Sequence, residues 1–175
     1  AVTNLPAQPI GIVTRGNTMA YVSCNGGGAV VAVNLTTLSI AATITTNEYN
    51  QDITISPDGT RVFLGTYIGP NNWLEIDVDP ASPTYHTIVR KHSAGTNGAW
   101  QVRPDAAGQR VFIATSSGVD VRQRSDNVLL GQILGGRAAY GGLALTPDGA
   151  WLAVLGLDAA DLQNNELLKS EERRV

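Results

Sequence analysis

Cysteine is nearly missing from this chain, and the single Cys24 excludes both an internal disulfide and any zinc site built from cysteine pairs. Histidine is almost as scarce. His86 and His92 are the whole supply, so a three-histidine metal site cannot be assembled within one chain. Charged side chains make up only 15% of the 175 residues, the formal net charge is −3, and the basic residues are scattered until Arg173 and Arg174. No basic stripe exists to follow a nucleic acid or an anionic lipid surface. Apolar runs stop at strand length, which leaves no membrane-spanning helix, and the first residues show no charged-then-apolar signal pattern.

What is plentiful points to sheets. A hydrophobic fraction of 43%, 19 glycines and many Thr, Val and Ile suit an all-β protein whose short strands alternate with tight turns. The chain also repeats itself. Asp52-Ile53-Thr54-Ile55-Ser56-Pro57-Asp58-Gly59-Thr60-Arg61-Val62-Phe63-Leu64 is echoed by Gly142-Leu143-Ala144-Leu145-Thr146-Pro147-Asp148-Gly149-Ala150-Trp151-Leu152-Ala153-Val154. A third copy runs from Ala99 through Arg103, Pro104 and Asp105 to Arg110-Val111-Phe112-Ile113, with two extra residues assigned to its turn, and a weaker first copy spans Gly11 to Val22. Turn starts at Thr14, Ser56, Arg103 and Thr146 are spaced by 42, 47 and 43 residues, the period of a propeller blade.

Each copy has a physical reason to be a hairpin. Alternation such as Ile53/Ile55 and Leu143/Leu145 makes a half-buried strand, and Pro57-Asp58-Gly59 turns the chain back at once. Asp58, Asp105 and Asp148 are accordingly turn formers rather than ligands. Further strands are predicted at 29–34 and 39–45, 73–78 and 85–90, and 119–122 and 128–134. Four strands per repeat make a β-propeller blade. The expected fold is all-β, with three full four-stranded antiparallel blades and part of a fourth within residues 1–156, at approximately 9–45, 52–90, 99–134 and 142–156 onward. Residues 157–175 form a tail that reads as a helix or as an incomplete blade.

The order Tyr21-Val22-Ser23, a Gly/Asn-rich loop, Val30-Val31-Ala32-Val33-Asn34, Ile40-Ala41-Ala42-Thr43-Ile44 and Ser56-Pro57-Asp58-Gly59 resembles the YVTN family of β-propeller repeats over roughly residues 9 to 156. Proteins of that family occur on bacterial and archaeal surfaces or in the periplasm, and lactonase-like propellers are similar, so the resemblance implies an extracytoplasmic location. The shared motifs encode turns and core strands, not a site. Three and a half blades fall short of the usual ring of about four to eight. Open strand edges invite pairing, so the expected partners are a homo-oligomeric copy, with residues 1–8 exchanged as a variant of this, or the remainder of a larger propeller.

Candidate site residues lie on the loops that join one blade to the next, Thr46 to Gln51, Lys91 to Gly98 and Gly135 to Gly141, which gather at one mouth of a propeller channel. They are Glu48, Tyr49, Asn50, His92, Asn97, Arg137 and Tyr140, a set suited to a protein or small polar ligand, with Asn47, Lys91 and Asp52 beside them. His92 is expected as a solvated loop histidine. Paired with Glu48 or Asp52 it would instead offer a general base or a metal corner. Gly26-Gly27-Gly28 lacks the lysine and helix of a phosphate loop and reads as a hairpin loop. Trp73, Trp100 and Trp151 read as core or blade-packing residues.

No catalytic residues, metal ligands or cofactor motif emerge. The expected function is a non-enzymatic binding or scaffold module, with a channel-mouth enzyme (a lactonase-like hydrolase or a metal-dependent lyase) as the alternative.

Overall fold

In the runs Val30-Val31-Ala32-Val33, Val62-Phe63-Leu64 and Val111-Phe112-Ile113-Ala114 apolar residues follow one another without polar relief, so both faces of the strands they form need cover. The computed structural model describes residues 5–67, 72–93, 98–133, 136, 138–139, 142–146 and 151–155, and the backbone of 171–174. The described residues form strands, turns and bends, with no helix among them.

The strands pair antiparallel in chain order within four sheets. The first holds β1 (Pro9–Arg15), β2 (Met19–Cys24), β3 (Ala29–Asn34) and β4 (Ser39–Thr45). The second holds β5 (Asn50–Ile55), β6 (Arg61–Thr66), β7 (Trp73–Asp77) and β8 (Ile88–His92). The third holds β9 (Gln101–Pro104), β10 (Arg110–Thr115), β11 (Gly118–Gln123) and β12 (Leu129–Ile133). The fourth holds β13 (Gly142–Leu145), β14 (Trp151–Leu155) and β15 (Glu171–Arg174). Three full blade-type sheets and part of a fourth are thus present, as the repeats imply.

Successive sheets stack face to face, with β1, β5, β9 and β13 as neighbouring inner strands. Tyr21, Val30 and Ile44 of the first sheet meet Val62, Leu64 and Ile76 of the second. Phe63 and Trp73 then meet Val111 and Ile113, and Phe112 and Val119 meet Leu152 and Val154. Side chains of β6 therefore alternate backward and forward, and burying each large one contributes about 1.5–3 kcal/mol. On the outward face of the first sheet, Ala20, Val22, Val31 and Val33 are buried with Leu5 and Leu35 against them. Residues 5–8 lie along their own first sheet, where Gln8 O accepts from Asn25 N at 2.9 Å.

Polar ties reinforce the stacking. Glu75, 1% exposed, is ringed by Arg61 at 3.4 Å, Arg90 at 3.0 Å and Arg124 of the third sheet at 2.5 Å. Burial alone would raise its carboxyl, but the hydrogen bond and charge of Arg124, with Arg90, hold it below the usual carboxylate range. Between the first and second sheets, Tyr21 Oη lies 3.1 Å from His86 Nε2.

Two local features differ from the sequence reading. The strand expected at 85–90 lies at Ile88–His92, because the chain before it wraps around Asp77. Ser82 and Thr84 hydroxyls donate to Asp77 Oδ2 at 2.6 Å each, and His86 takes a φ of 61° in the turn. Burial would raise the Asp77 carboxyl, yet these bonds and Arg61 hold it low.

The third hairpin turn, moreover, has no extra residues. Asp105 N bonds to Arg110 O as Ser56 N bonds to Arg61 O and Thr146 N to Trp151 O, and Gly108 (φ 66°) matches Gly59 (φ 70°). Asp105 thus stands where Ser56 and Thr146 stand, not where Asp58 stands. Its Oδ1 accepts from Arg110 N at 3.1 Å, just as Ser56 Oγ accepts from Arg61 N at 2.9 Å. Asp148 lies outside the described residues.

Candidate functional site

The end of the stack that carries the sheet-to-sheet connections is held by one asparagine. Asn50, fully buried at the start of β5, accepts from Thr46 Oγ1 at 2.9 Å and donates through Nδ2 to Ala29 O at 2.9 Å and Cys24 O at 3.1 Å. Its own carbonyl accepts from Asn25 Nδ2 at 2.7 Å. With Thr46 N and Asn47 N both bonded to Gly28 O, this residue fastens the first sheet to the second and has no polar group left for a ligand. Glu48 is buried beside it, whereas Tyr49 is 55% exposed.

An aromatic rim forms around Tyr49. Its carbonyl accepts from Tyr67 N at 2.9 Å, which sets the β4–β5 connection beside the end of β6. Tyr67 is 40% exposed, and its ring centroid lies 4.5 Å from that of Trp100, the planes tilted by 44°. The approach of these connections depends on Gly65. A Cβ there would stand 2.5 Å from Ala99 O.

His92 is not on a loop. It ends β8 opposite Trp73, with ring centroids 4.4 Å apart, and its Nε2 is buried without a hydrogen-bond partner among the described residues. Stacking across the strand pair extends β8 through this residue. Burial, and then the charge of Arg90, lower its proton affinity. Trp73 Nε1 donates to Asn127 Oδ1 at 3.0 Å, and Asn127 Nδ2 to Ser93 O at 2.6 Å, so the region around the histidine joins the second and third sheets. Asp52, considered as its partner, pairs instead with Arg103. No group of three His, Cys, Asp or Glu placed to hold a metal occurs among the described residues. Asn97, Arg137 and Tyr140 lie outside the described residues.

The inner strands carry a polar latch that sequence reasoning passes over. Arg103 of β9 donates from Nη2 to Asp52 Oδ2 of β5 at 2.6 Å and to Gln101 Oε1 at 3.2 Å, and from Nε to Leu143 O of β13 at 3.0 Å. Gln101 Oε1 also accepts from Leu143 N at 2.6 Å. Arg103 thus spans three sheets at one wall of a cavity of about 520 Å³, shared with Thr54, Pro57, Leu145 and Thr146. That cavity opens toward the Pro57 turn, the end opposite the aromatic rim. The overlooked signal was the register, which sets Arg103 level with Thr54 and Ala144, opposite Phe112, Phe63 and Ala153 respectively.

Trp73 is a core residue, while Trp151 is 43% exposed on the outward side of the last sheet. The packing role read for Trp151 therefore has no partner surface among the described residues.

No protein-family model matches the chain, and no curated protein does. Solved structures match its shape. Hydrazine synthase of Kuenenia stuttgartiensis aligns with a TM-score of 0.74 and 18% identity, over 96% of this chain and 54% of that one. A protein of Bacteroides uniformis provisionally named a 6-phosphogluconolactonase aligns at 0.65 and 12%, over 95% and 55%. A functionally unknown protein from Desulfotomaculum acetoxidans aligns at 0.65 and 13%, over 84% and 48%. The fold is propeller-like. The chain spans about half the length of these structures.

Proposed function

We propose that the chain is a non-enzymatic β-propeller binding module that engages a protein or surface partner through the rim of Tyr49, Tyr67 and Trp100. The observation that carries this reading is the exposure of Tyr49 and Tyr67 at the end where the connections converge, with Tyr67 braced on Trp100. Rigid aromatic side chains supply contact area at low entropic cost, which is why they anchor interfaces. The resemblance to the YVTN repeats supports an extracytoplasmic setting.

Engagement of the chemical groups favours this reading over a propeller hydrolase or lyase. His92 is stacked on Trp73, Asp52 is paired with Arg103, and every polar group of the Asn50 side chain is bonded within the fold. The test is binding of the chain to a panel of purified secreted proteins and envelope polysaccharides, run beside hydrolysis of aliphatic and sugar lactones. A partner whose affinity falls about tenfold or more on Tyr67→Ala is the expected result. Lactone turnover that disappears in His92→Ala would overturn the reading in favour of the enzyme.

A further inference from the structure

We propose that a second copy of this chain closes the ring, seating its β1 on the open face of β13 and β14. The inference stands apart from what the aromatic rim binds.

Three times within the chain, the forward face of one sheet receives the backward face of the next. On the inner strands that contact has a defined form. In β1, Gly11 lies opposite Ser23, and Ile53 of β5 fills the space its missing side chain leaves, with Cγ2 only 3.0 Å from where a Cβ would stand. The fourth sheet repeats the receiving half. Gly142 of β13 lies opposite Leu155 as Gly11 lies opposite Ser23, and among the described residues a Cβ on it would meet only Gln101 Oε1, at 4.0 Å. Its forward face, Trp151 at 43%, Leu155 at 37% and Ala144, is exposed, whereas Phe63 and Phe112, on the forward faces of the second and third sheets, are buried.

The inserting half is equally exposed at the other end. Ile12 lies opposite Val22 as Ile53 lies opposite Leu64, so it faces backward, and Ile10 stands at the register shift before it. These two isoleucines are 65% and 51% exposed, although the adjoining Ala20, Val22, Val31 and Val33 are covered. One chain therefore carries an unfilled socket at Gly142 and a free plug at Ile12, and its two faces continue the interface already used between its own sheets. Two copies bring together eight sheets, four from each, within the usual range of about four to eight blades in a closed ring. Two such contacts related by one two-fold axis form a closed assembly with no exposed end.

Light scattering behind a sizing column, on the full chain at its highest soluble concentration, tests this. The expected mass is twice 18.4 kDa, with Trp151 emission shifting to shorter wavelength as the dimer forms. Gly142→Val fits the single chain but blocks the socket, and raises the dimer dissociation constant about tenfold or more. Ile12→Asp, at an exposed position, does the same, while both variants keep the far-ultraviolet spectrum of the parent. A parent chain that stays monomeric, an assembly of any other size, or a dimer that both substitutions leave unweakened overturns the proposal.

Discussion

Arg124, just beyond β11, grips Glu75 of β7 with two donors, Nε to Oε2 at 3.0 Å and Nη2 to Oε1 at 2.5 Å. Arg61 and Arg90 complete the ring of cations around that one carboxylate. Removing it takes the carboxylate partner from Arg90 and Arg124, while Arg61 keeps Asp77 at 2.8 Å. Because Arg61, Arg90 and Arg124 are themselves 21–38% exposed, water softens the loss, and Glu75→Ala is expected to cost about 2–3 kcal/mol rather than the full penalty of a buried pair. A urea midpoint that does not move refutes this.

Acid should weaken the fold in two stages. His86 and His92 bind protons less readily in the folded chain than in the unfolded one, burial being the main cause. As pH falls past about 6.5 the unfolded chain takes up protons first, so stability begins to drop there. Asp58, Glu75 and Asp77 are held low, Asp58 chiefly by the Ser56 hydroxyl. Their contribution is present above the unfolded value of about 4 and is lost as pH falls through the depressed folded values. His92→Phe, which keeps a ring over Trp73, is expected to flatten part of the first stage and leave the second unchanged in urea titrations from neutral to acid pH.

Two glycines in strands make opposite predictions. Gly65→Ala forces a methyl group toward Ala99 O, 2.5 Å from the Cβ position, and is expected to lower stability by about 1–3 kcal/mol. Gly131→Ala in β12 meets nothing within 4 Å among the described residues and should raise it by about 0.4–1 kcal/mol through the unfolded state. Thermal melts of the two variants side by side decide the matter.

Arg103→Lys replaces a planar fork with a point charge. Lysine cannot serve Asp52, Gln101 and Leu143 O together, so a loss of about 1–2 kcal/mol is expected. The more specific readout is hydrogen exchange, which should quicken at Leu143, whose amide bonds to Gln101. Unchanged exchange there would show that the latch does not hold β13.

The blade-type sheets were legible because their cause is local. Pro57-Asp58-Gly59 states its turn in consecutive residues, and Val62 and Leu64 against Phe63 state two buried faces by alternation alone. The third turn misled because Pro104-Asp105 copies the letters of Pro57-Asp58 two places early. What closes the turn is an oxygen at its first position, which Ser56, Asp105 and Thr146 supply equally well. The rim was only half visible. Tyr49 stood on a named loop, but Tyr67 and Trp100 meet only once the sheets have stacked. Arg103 was hidden for the same reason, since its partners belong to three different sheets.

The stacking order also governs how the chain is made. Each sheet leans on the one preceding it in sequence, so the first can assemble once about Thr45 has emerged from the ribosome, and every later sheet finds its support already built. Synthesis and folding then advance together in one direction. Apart from Ile10 and Ile12 on the first sheet, the greasy surface awaiting cover at any moment belongs to the newest sheet.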